Sequence, residues 1–397
     1  MNSISYLKLI QASFMIGLTG FGGPALVGIM KNKFVEDKKW VSDKTFLEGL
    51  SLAQLLPGAV SVTLIGYLGY KLKGFWGVII LPFFFMLPAI SLIIILSWAY
   101  FSYSDLSFIK TAFIGLGALV VSLLVNATVT MSKSIFGNFT SKNIKAYLIS
   151  VIIFLVEYFY KINIIYLILF GGVLGFLFFF FTNEIQEGKK EAYNNSNNIK
   201  INYFKNPKFY FLGGSIVLLI FLYIYYPILW NLFYNFFKIG MFGFGGGYTV
   251  IPLIQHQVVN ELGLVTLKEF RDGIALGQVT PGPVFITTTF IGFKVAGLSG
   301  AIISSIASYS PSLIAVVTLN HILLRIKHKK IIQVFMKGIL SGFIGLLFFV
   351  VIQFGLASLI NWQTYLICLS TLVLLLVFKK DHIWALLTTI ILTVLLL

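Results

Sequence analysis

Apolar residues run in blocks of membrane-spanning length at 9–30, 49–70, 75–100, 109–131, 146–160 and 163–182. A polar stretch at 183–208 interrupts them, and further blocks follow at 209–226, 230–254, 272–294, 297–324, 331–357, 362–378 and 381–397. Unbroken runs of this kind, without two-residue alternation, predict helices that cross a bilayer. The expectation is an all-α polytopic membrane protein with about thirteen segments arranged as six, one and six. The blocks at 146–160, 362–378 and 381–397 are short for a full crossing, which predicts tilted or partial spans.

The two groups of six repeat each other. Gly20-Phe21-Gly22-Gly23-Pro24 returns as Gly243-Phe244-Gly245-Gly246-Gly247, displaced by 223 positions. Gln54-Leu55-Leu56-Pro57-Gly58-Ala59 returns as Gln278-Val279-Thr280-Pro281-Gly282-Pro283, after a one-residue gap. Gly69, Lys71, Gly74 and Gly77 match Gly292, Lys294, Gly297 and Gly300, while Pro88 matches Pro311 and Gly115 matches Gly338. Shared hydrophobicity arises by chance; punctuating glycines and prolines in one order do not. The chain therefore divides into a first repeat (1–182), a linker with one extra helix (183–229) and a second repeat (230–397). Six spans plus one helix bring the second repeat into the membrane in the opposite sense, which predicts an inverted-topology repeat with broken helices.

Composition agrees with a membrane protein. The 397 residues are 58% hydrophobic and 11% charged, with mean hydropathy +0.95, more apolar side chain than a soluble fold of this size can bury. No cleavable signal peptide is expected at the start of the chain. The net charge of +16 is read first as lysine-rich cytoplasmic loops. Placing the N-terminus in the cytoplasm gathers Lys71, Lys73, Lys133, Lys142, Lys145, the linker lysines and the Arg325–Lys330 cluster inside. It leaves mainly the 31–48 loop lysines outside, so a cytoplasmic N-terminus and an external C-terminus are expected. The single Cys368 excludes an internal disulfide, and the four scattered histidines have no ligand spacing. No nucleophile motif, metal cluster, Walker loop or nucleic-acid signature is present, so an enzyme, a cofactor and a nucleic-acid partner are not expected.

The chemistry gathers at the breaks. Ser42 and the capping box Thr266-x-x-Glu269 each predict the start of a helix that stops at a Pro-Gly step. The helix restarting after each step presents unpaired N–H groups, as does each restart after a glycine cluster. Four such ends near mid-membrane suit a doubly charged oxyanion. The expected binding set is Gly22, Gly23, Pro24, Gln54, Pro57, Gly58, Gly245, Gly246, Gly247, Gln278, Thr280, Pro281, Gly282, Pro283 and Thr287. Ser51, Ser61, Thr63, Thr288 and Thr289 add hydroxyls nearby. The glutamines serve either the anion or the broken backbone itself. Lys71 and Lys294 either bind the anion or snorkel to the interface. Glu48 and Asp272 occupy one repeat position and either carry a coupling proton or play a structural part. An interfacial position accounts for Glu157, and His256 is expected to face water.

Gly-Phe-Gly-Gly-Pro, Trp40-Val41-Ser42-x-x-x-Phe46, Gln54-Leu55-Leu56-Pro57-Gly58 and Gly69-Tyr70-x-x-x-Gly74-x-x-Gly77 resemble the chromate ion transporter family, in its long-chain two-domain type. The second-half motifs resemble its C-terminal domain. Two positions depart from the family pattern: Ala59 stands where a second proline belongs, and Ile114 stands where a basic residue, kept as Lys337, precedes the glycine. The resemblance implies a secondary transporter of the inner (plasma) membrane that exports chromate, with sulfate as a mimic, using a proton or counter-anion gradient. It is compatible with a homodimer. A sulfate or other anion importer or exchanger is the alternative within the class; a passive anion channel is the alternative outside it.

Overall fold

The computed structural model describes residues 4–20, 23–103, 105–137, 143–181, 214, 217, 219–326 and 329–397. Phe21 and Gly22 of the first glycine cluster, and most of the 183–229 linker and extra helix, lie outside the described residues. Among the described residues the protein is helical, without a strand. The first half contains α1 (Tyr6–Thr19), α2 (Gly23–Lys31), α3 (Asp43–Leu55), α4 (Val60–Tyr103), α5 (Ser107–Phe136), α6 (Ile144–Tyr160) and α7 (Ile164–Phe179). The second contains α8 (Pro227–Phe242), α9 (Val250–Gln255), α10 (Leu267–Val279), α11 (Thr287–Ile326), α12 (Lys330–Ser358), α13 (Trp362–Leu376) and α14 (His382–Leu396). A π-helical turn follows α2 at Asn32–Asp37 and another follows α9 at His256–Glu261.

The chain reverses inside α4 and α11. Gly74 (φ 63°, ψ −144°) breaks α4, and Gly297 (φ 57°, ψ −143°) breaks α11 at the matching position. A left-handed φ of this kind is open to glycine at little cost. The arms then run side by side, so that a Cβ added to Gly69 would overlap the Gly77 carbonyl and one on Gly292 would overlap that of Gly300. Each long helix is thus a short arm and a long arm, 60–73 with 75–103 and 287–295 with 298–326.

The block expected at 49–70 is two short helices around the Pro-Gly step rather than one. Ser42 caps α3, accepting from the Thr45 N–H at 3.2 Å, and the predicted Thr266–Glu269 capping box starts α10. Gly49 packs against the Tyr67 ring and Gly273 against that of Phe290, so α3 and α10 double back along the short arms. An α-helix of 13 residues, such as α3, is about 20 Å long, well short of a bilayer's ~30 Å hydrocarbon core. The first glycine break folds the chain the same way. Lys73 lies over the Tyr6 ring at 4.8 Å, putting the start of α1 beside the Gly74 turn. Lys31 pairs with Asp43 at 3.2 Å, bringing the far end of α2 back beside the start of α3.

Two bodies result. The short hairpins and long arms of both halves pack together as a core body, α1–α4 with α8–α11. The last three helices of each half change partners: α5 packs on α13 and α14, and α12 packs on α6 and α7. Ser122 meets Thr371 at 2.6 Å, Ser150 donates to the Ser341 carbonyl at 2.6 Å, and Gly175 packs on the Gly338 backbone. Small residues permit this close approach where lipid supplies no hydrophobic drive. These six helices form a scaffold body across both halves. Among the described residues, four helical stretches (Val60–Tyr103, Ser107–Phe136, Val284–Asn320 and Lys330–Ser358) are long and apolar enough to cross a membrane.

The arm packing yields a direct prediction. Gly69→Ala and Gly292→Ala should each cost about 1–3 kcal/mol or more, because backbone cannot move aside as a side chain does. Gly28→Ala, whose added Cβ would meet nothing within 4 Å, should instead stabilise by up to about 1 kcal/mol, the helix preference of alanine over glycine. Thermal unfolding of the detergent-solubilised protein measures the difference.

Candidate functional site

The hairpin tips of the two halves bind one another. The Gly58 N–H donates to the Gly243 carbonyl at 2.9 Å, and the Gly282 N–H donates to the Gly20 carbonyl at 3.0 Å. Gly20 and Gly243 are the same repeat position, as are Gly58 and Gly282, so the two bonds are one contact made twice. Each half's Pro-Gly tip therefore completes the glycine break of the other, which satisfies backbone that a membrane interior would otherwise leave bare. Gly58 has φ 109° and Gly282 φ 116°. A Cβ there would also come within 2.9 Å of the Ser312 or Ala89 Cβ, so glycine is required by both conformation and space.

Around this crossing, the helices that end cap themselves: the N–H groups of Gly20, Leu56 and Thr280 return to Ile16, Leu52 and Leu276 at 3.0, 3.0 and 3.1 Å. The helices that begin there are α2, α4, the turn leading into α9 and the turn leading into α11. A helix's first N–H groups have no intrahelical partner and carry its positive dipole end. Gly246 lies on the start of α4: an added Cβ would sit 3.4 Å from the Val60 nitrogen.

The expected residues distribute as follows. Gly22 lies outside the described residues, while Gly23 and Pro24 open α2. Pro57 and Gly58 form one tip, and Pro281, Gly282 and Pro283 the other. Gly245, Gly246 and Gly247 have φ of 83°, 64° and 59°, a run of positive φ that holds the second glycine break open. Thr280 donates to the Gly277 carbonyl at 3.1 Å and Thr287 to that of Val284 at 3.0 Å, so both hydroxyls also serve the local backbone. Gln54 and Gln278 sit one turn before their tips but are not alike: Gln54 is exposed, whereas Gln278 is half-buried and accepts from the Tyr248 hydroxyl at 2.9 Å.

Lys71 and Lys294 are not at the tips. They lie at the outer ends of the short arms, Lys71 over the Tyr67 ring at 5.3 Å and Lys294 over that of Phe101 at 5.1 Å. Lys294 also pairs with Glu269. Burial raises the proton affinity of Glu269, but the bonds from Lys294 and Thr266 outweigh it and hold the carboxyl below the usual range.

The matched acids have different surroundings. Glu48 accepts from the Tyr67 hydroxyl at 3.2 Å and is half-buried. Asp272 is 1% exposed; it accepts from Tyr100 at 2.9 Å and takes a fork from Arg271 at 3.1 and 2.9 Å. Arg271 reaches on to Ser358 at 3.0 Å. His256, expected in water, is instead buried, and so is Glu157, which lies against it. The cause is the partner exchange: α6 of one half ends against the π turn of the other, a long-range contact that hydropathy does not encode.

Two tyrosines went unread in the sequence. Tyr248 orients Gln278, and its place directly after the glycine run was the available signal. Tyr309, fully buried, lies with its ring 5.8 Å from Phe285, in the turn that opens α11. Its hydroxyl has no partner among the described residues. A tyrosine inside an apolar block gave no sign of this.

A helical membrane protein whose broken helices meet at their tips has the architecture of a transporter, and comparison with known sequences gives its family. The chromate transporter family model matches residues 7–176 and 230–395. The chain is 32% identical over 385 residues to an uncharacterised transporter of Methanocaldococcus jannaschii, covering 96% of this chain and 91% of that one. It is 30% identical to a chromate transport protein of Cupriavidus metallidurans, covering 94% and 88%, and 32% identical to a probable chromate transport protein of Synechococcus elongatus, covering 93% and 89%. No solved structure matches. The chain belongs to the chromate transporter family, a family of multi-pass membrane transporters and not of enzymes.

The buried Arg271–Asp272 pair supports a second prediction. Arg271→Leu should destabilise the protein by about 3–5 kcal/mol, because it strands a buried carboxylate. Adding Asp272→Asn should recover a substantial part of the loss. Thermal midpoints of the single and double variants measure this.

Proposed function

We propose that the chain is a secondary active transporter of a tetrahedral oxyanion, with chromate exported from the cytoplasm and sulfate as its mimic, working by alternating access at a midplane site between inverted repeats. The observation that carries this is the reciprocal crossing of Gly58 with Gly243 and of Gly282 with Gly20, ringed by four helix starts. Such ends stabilise anionic oxygens with fixed N–H dipoles and need no buried lysine. Chromate enters because relatives that align along most of the chain carry the name chromate transport protein.

Inverted topology is favoured by how the halves meet. Tyr100 and Phe101, at the far end of the first long arm, touch Asp272, Phe290 and Lys294, at the entry side of the second half. In this reading, two of the six blocks in each half are re-entrant hairpins that enter and leave by one face. The other four cross, and the extra helix of the linker turns the second half over. The N-terminus is then cytoplasmic and the C-terminus external. The moving parts are the core and scaffold bodies, with the oxyanion held in the core between the tips. Gln54 supplies amide N–H groups from the first half. Tyr248, by occupying the Gln278 carbonyl oxygen, leaves the Gln278 NH2 for the anion. The energy comes from a proton gradient or from a counter-anion.

Uptake of labelled chromate into everted vesicles, with sulfate competing, tests the reading; uptake no faster than in empty vesicles would end it. Gln54→Ala and Gln278→Ala should each reduce uptake by about tenfold or more at unchanged membrane expression, the scale of a lost hydrogen bond to a charged group. Normal uptake in both would assign the glutamines to packing. A steady current in planar bilayers without a coupling ion would favour a passive channel.

A further inference from the structure

Side-chain hydrogen bonds between the core and scaffold bodies gather at one face. The π turn at His256–Glu261 and the nearby helices reach across with three hydrogen bonds and one longer charged approach. Asn163, at the start of α7, donates to Glu261 at 2.5 Å, and Gln255 donates to Gln353 on α12. Arg271 reaches Ser358, also on α12, at 3.0 Å. At the centre, His256 Nε2 is 3.2 Å from Glu261 Oε1, and its Nδ1 is 4.0 Å from Glu157 Oε1 on α6. Glu157 is 3% exposed and His256 7%. The Glu157 Oε2 and His256 Nδ1 atoms are buried without a hydrogen-bond partner among the described residues.

Two groups facing each other in this way need a proton. With one imidazole proton on Nε2, directed at Glu261, the Nδ1 atom is a lone pair pointing at an acceptor-only carboxylate. Both are out of water, so the pair is stable only when one further proton lies between them. The other ionised groups nearby are Lys161, at the end of α6, and Lys238, on α8; α7 and α12 contribute the uncharged Asn163 and Gln353. Burial lowers the proton affinity of the imidazole against the pull of Glu261, with Lys238 adding to the lowering. The carboxyl oxygen is therefore the seat of the extra proton.

The geometry points to a proton-binding latch, in which His256 on the core and Glu157 on the scaffold hold one proton between them, with Glu261 orienting the imidazole. When the bodies separate, water reaches both groups, the Glu157 O–H bond breaks, and the proton leaves to solvent as the carboxylate forms. Closing takes it up again. The closed form thus binds one proton more than the open form, so acid favours closure and alkali favours opening. The closed-to-open ratio falls about tenfold per pH unit above the midpoint. This rests on the two bodies moving relative to one another, as proposed above.

The test uses the full chain in lipid nanodiscs, in a Cys368→Ser background. Spin labels on Tyr160→Cys and Leu262→Cys are read by pulsed dipolar spectroscopy from pH 5 to 9, with and without chromate. Both labelled positions are exposed, one on each body. Expected is a short-distance population that shrinks as pH rises. Glu157→Gln should hold that population at every pH, because an amide N–H donates to Nδ1 without an added proton. His256→Gln, checked for monodispersity, should also lose the pH response. A population that chromate shifts but pH does not would overturn the latch alone, as would a pH response surviving in Glu157→Gln. A single distance unmoved by chromate or pH would overturn the two-body motion itself.

Discussion

An interrupted backbone inside a membrane must find hydrogen-bond partners within the protein, and the rest of this structure follows from that requirement. Each half breaks its chain twice, and each half completes a bond at the other's glycine break. The Gly58 N–H is completed by the Gly243 carbonyl and the Gly282 N–H by the Gly20 carbonyl. An isolated repeat would lack the partner of one donor at its Pro-Gly tip and of one acceptor at its glycine break. The duplication thus places both partners of each crossing bond in one chain.

The crossing also explains the division into bodies. With the tips of both halves bound together, α1–α4 and α8–α11 pack as one unit. The remaining helices close around that unit by exchanging partners, α5 with α13 and α14, and α12 with α6 and α7. No body belongs to one repeat. The boundary between the two packed bodies therefore runs across the sequence division rather than along it.

Much of this was legible in the chain, for identifiable reasons. Glycine, proline and capping residues act locally, so the positions of the breaks and the starts of α3 and α10 could be read from Ser42, Pro57, Thr266 and Pro281. The repeat was legible because those residues recur in order. What hydropathy concealed was direction. An apolar block of 22 residues reads the same whether it crosses or folds back, and 49–70 folds back at Gly58. The surroundings of His256 and Glu157 were hidden for a different reason. Their meeting depends on partner exchange between helices about a hundred residues apart, which no local pattern records.

The two halves share a backbone plan but not a chemistry, and the differences are systematic. Both carry a π turn after their first hairpin, yet in Asn32–Asp37 only Phe34 is buried, with Lys33 near Asp37 at 3.8 Å, whereas His256, Gln257 and Val258 are all buried. Both carry a glutamine before the Pro-Gly tip, yet Tyr248 fixes Gln278 while Ala25 occupies the matching position in the first half. Pro24 opens α2 where Gly247, with positive φ, stands in the second copy. At the π turn and at the glutamine, the first half is the more exposed and the second the more buried and hydrogen-bonded. The two tips are thus held by different interactions, Gln278 half-buried and bonded to Tyr248, Gln54 exposed.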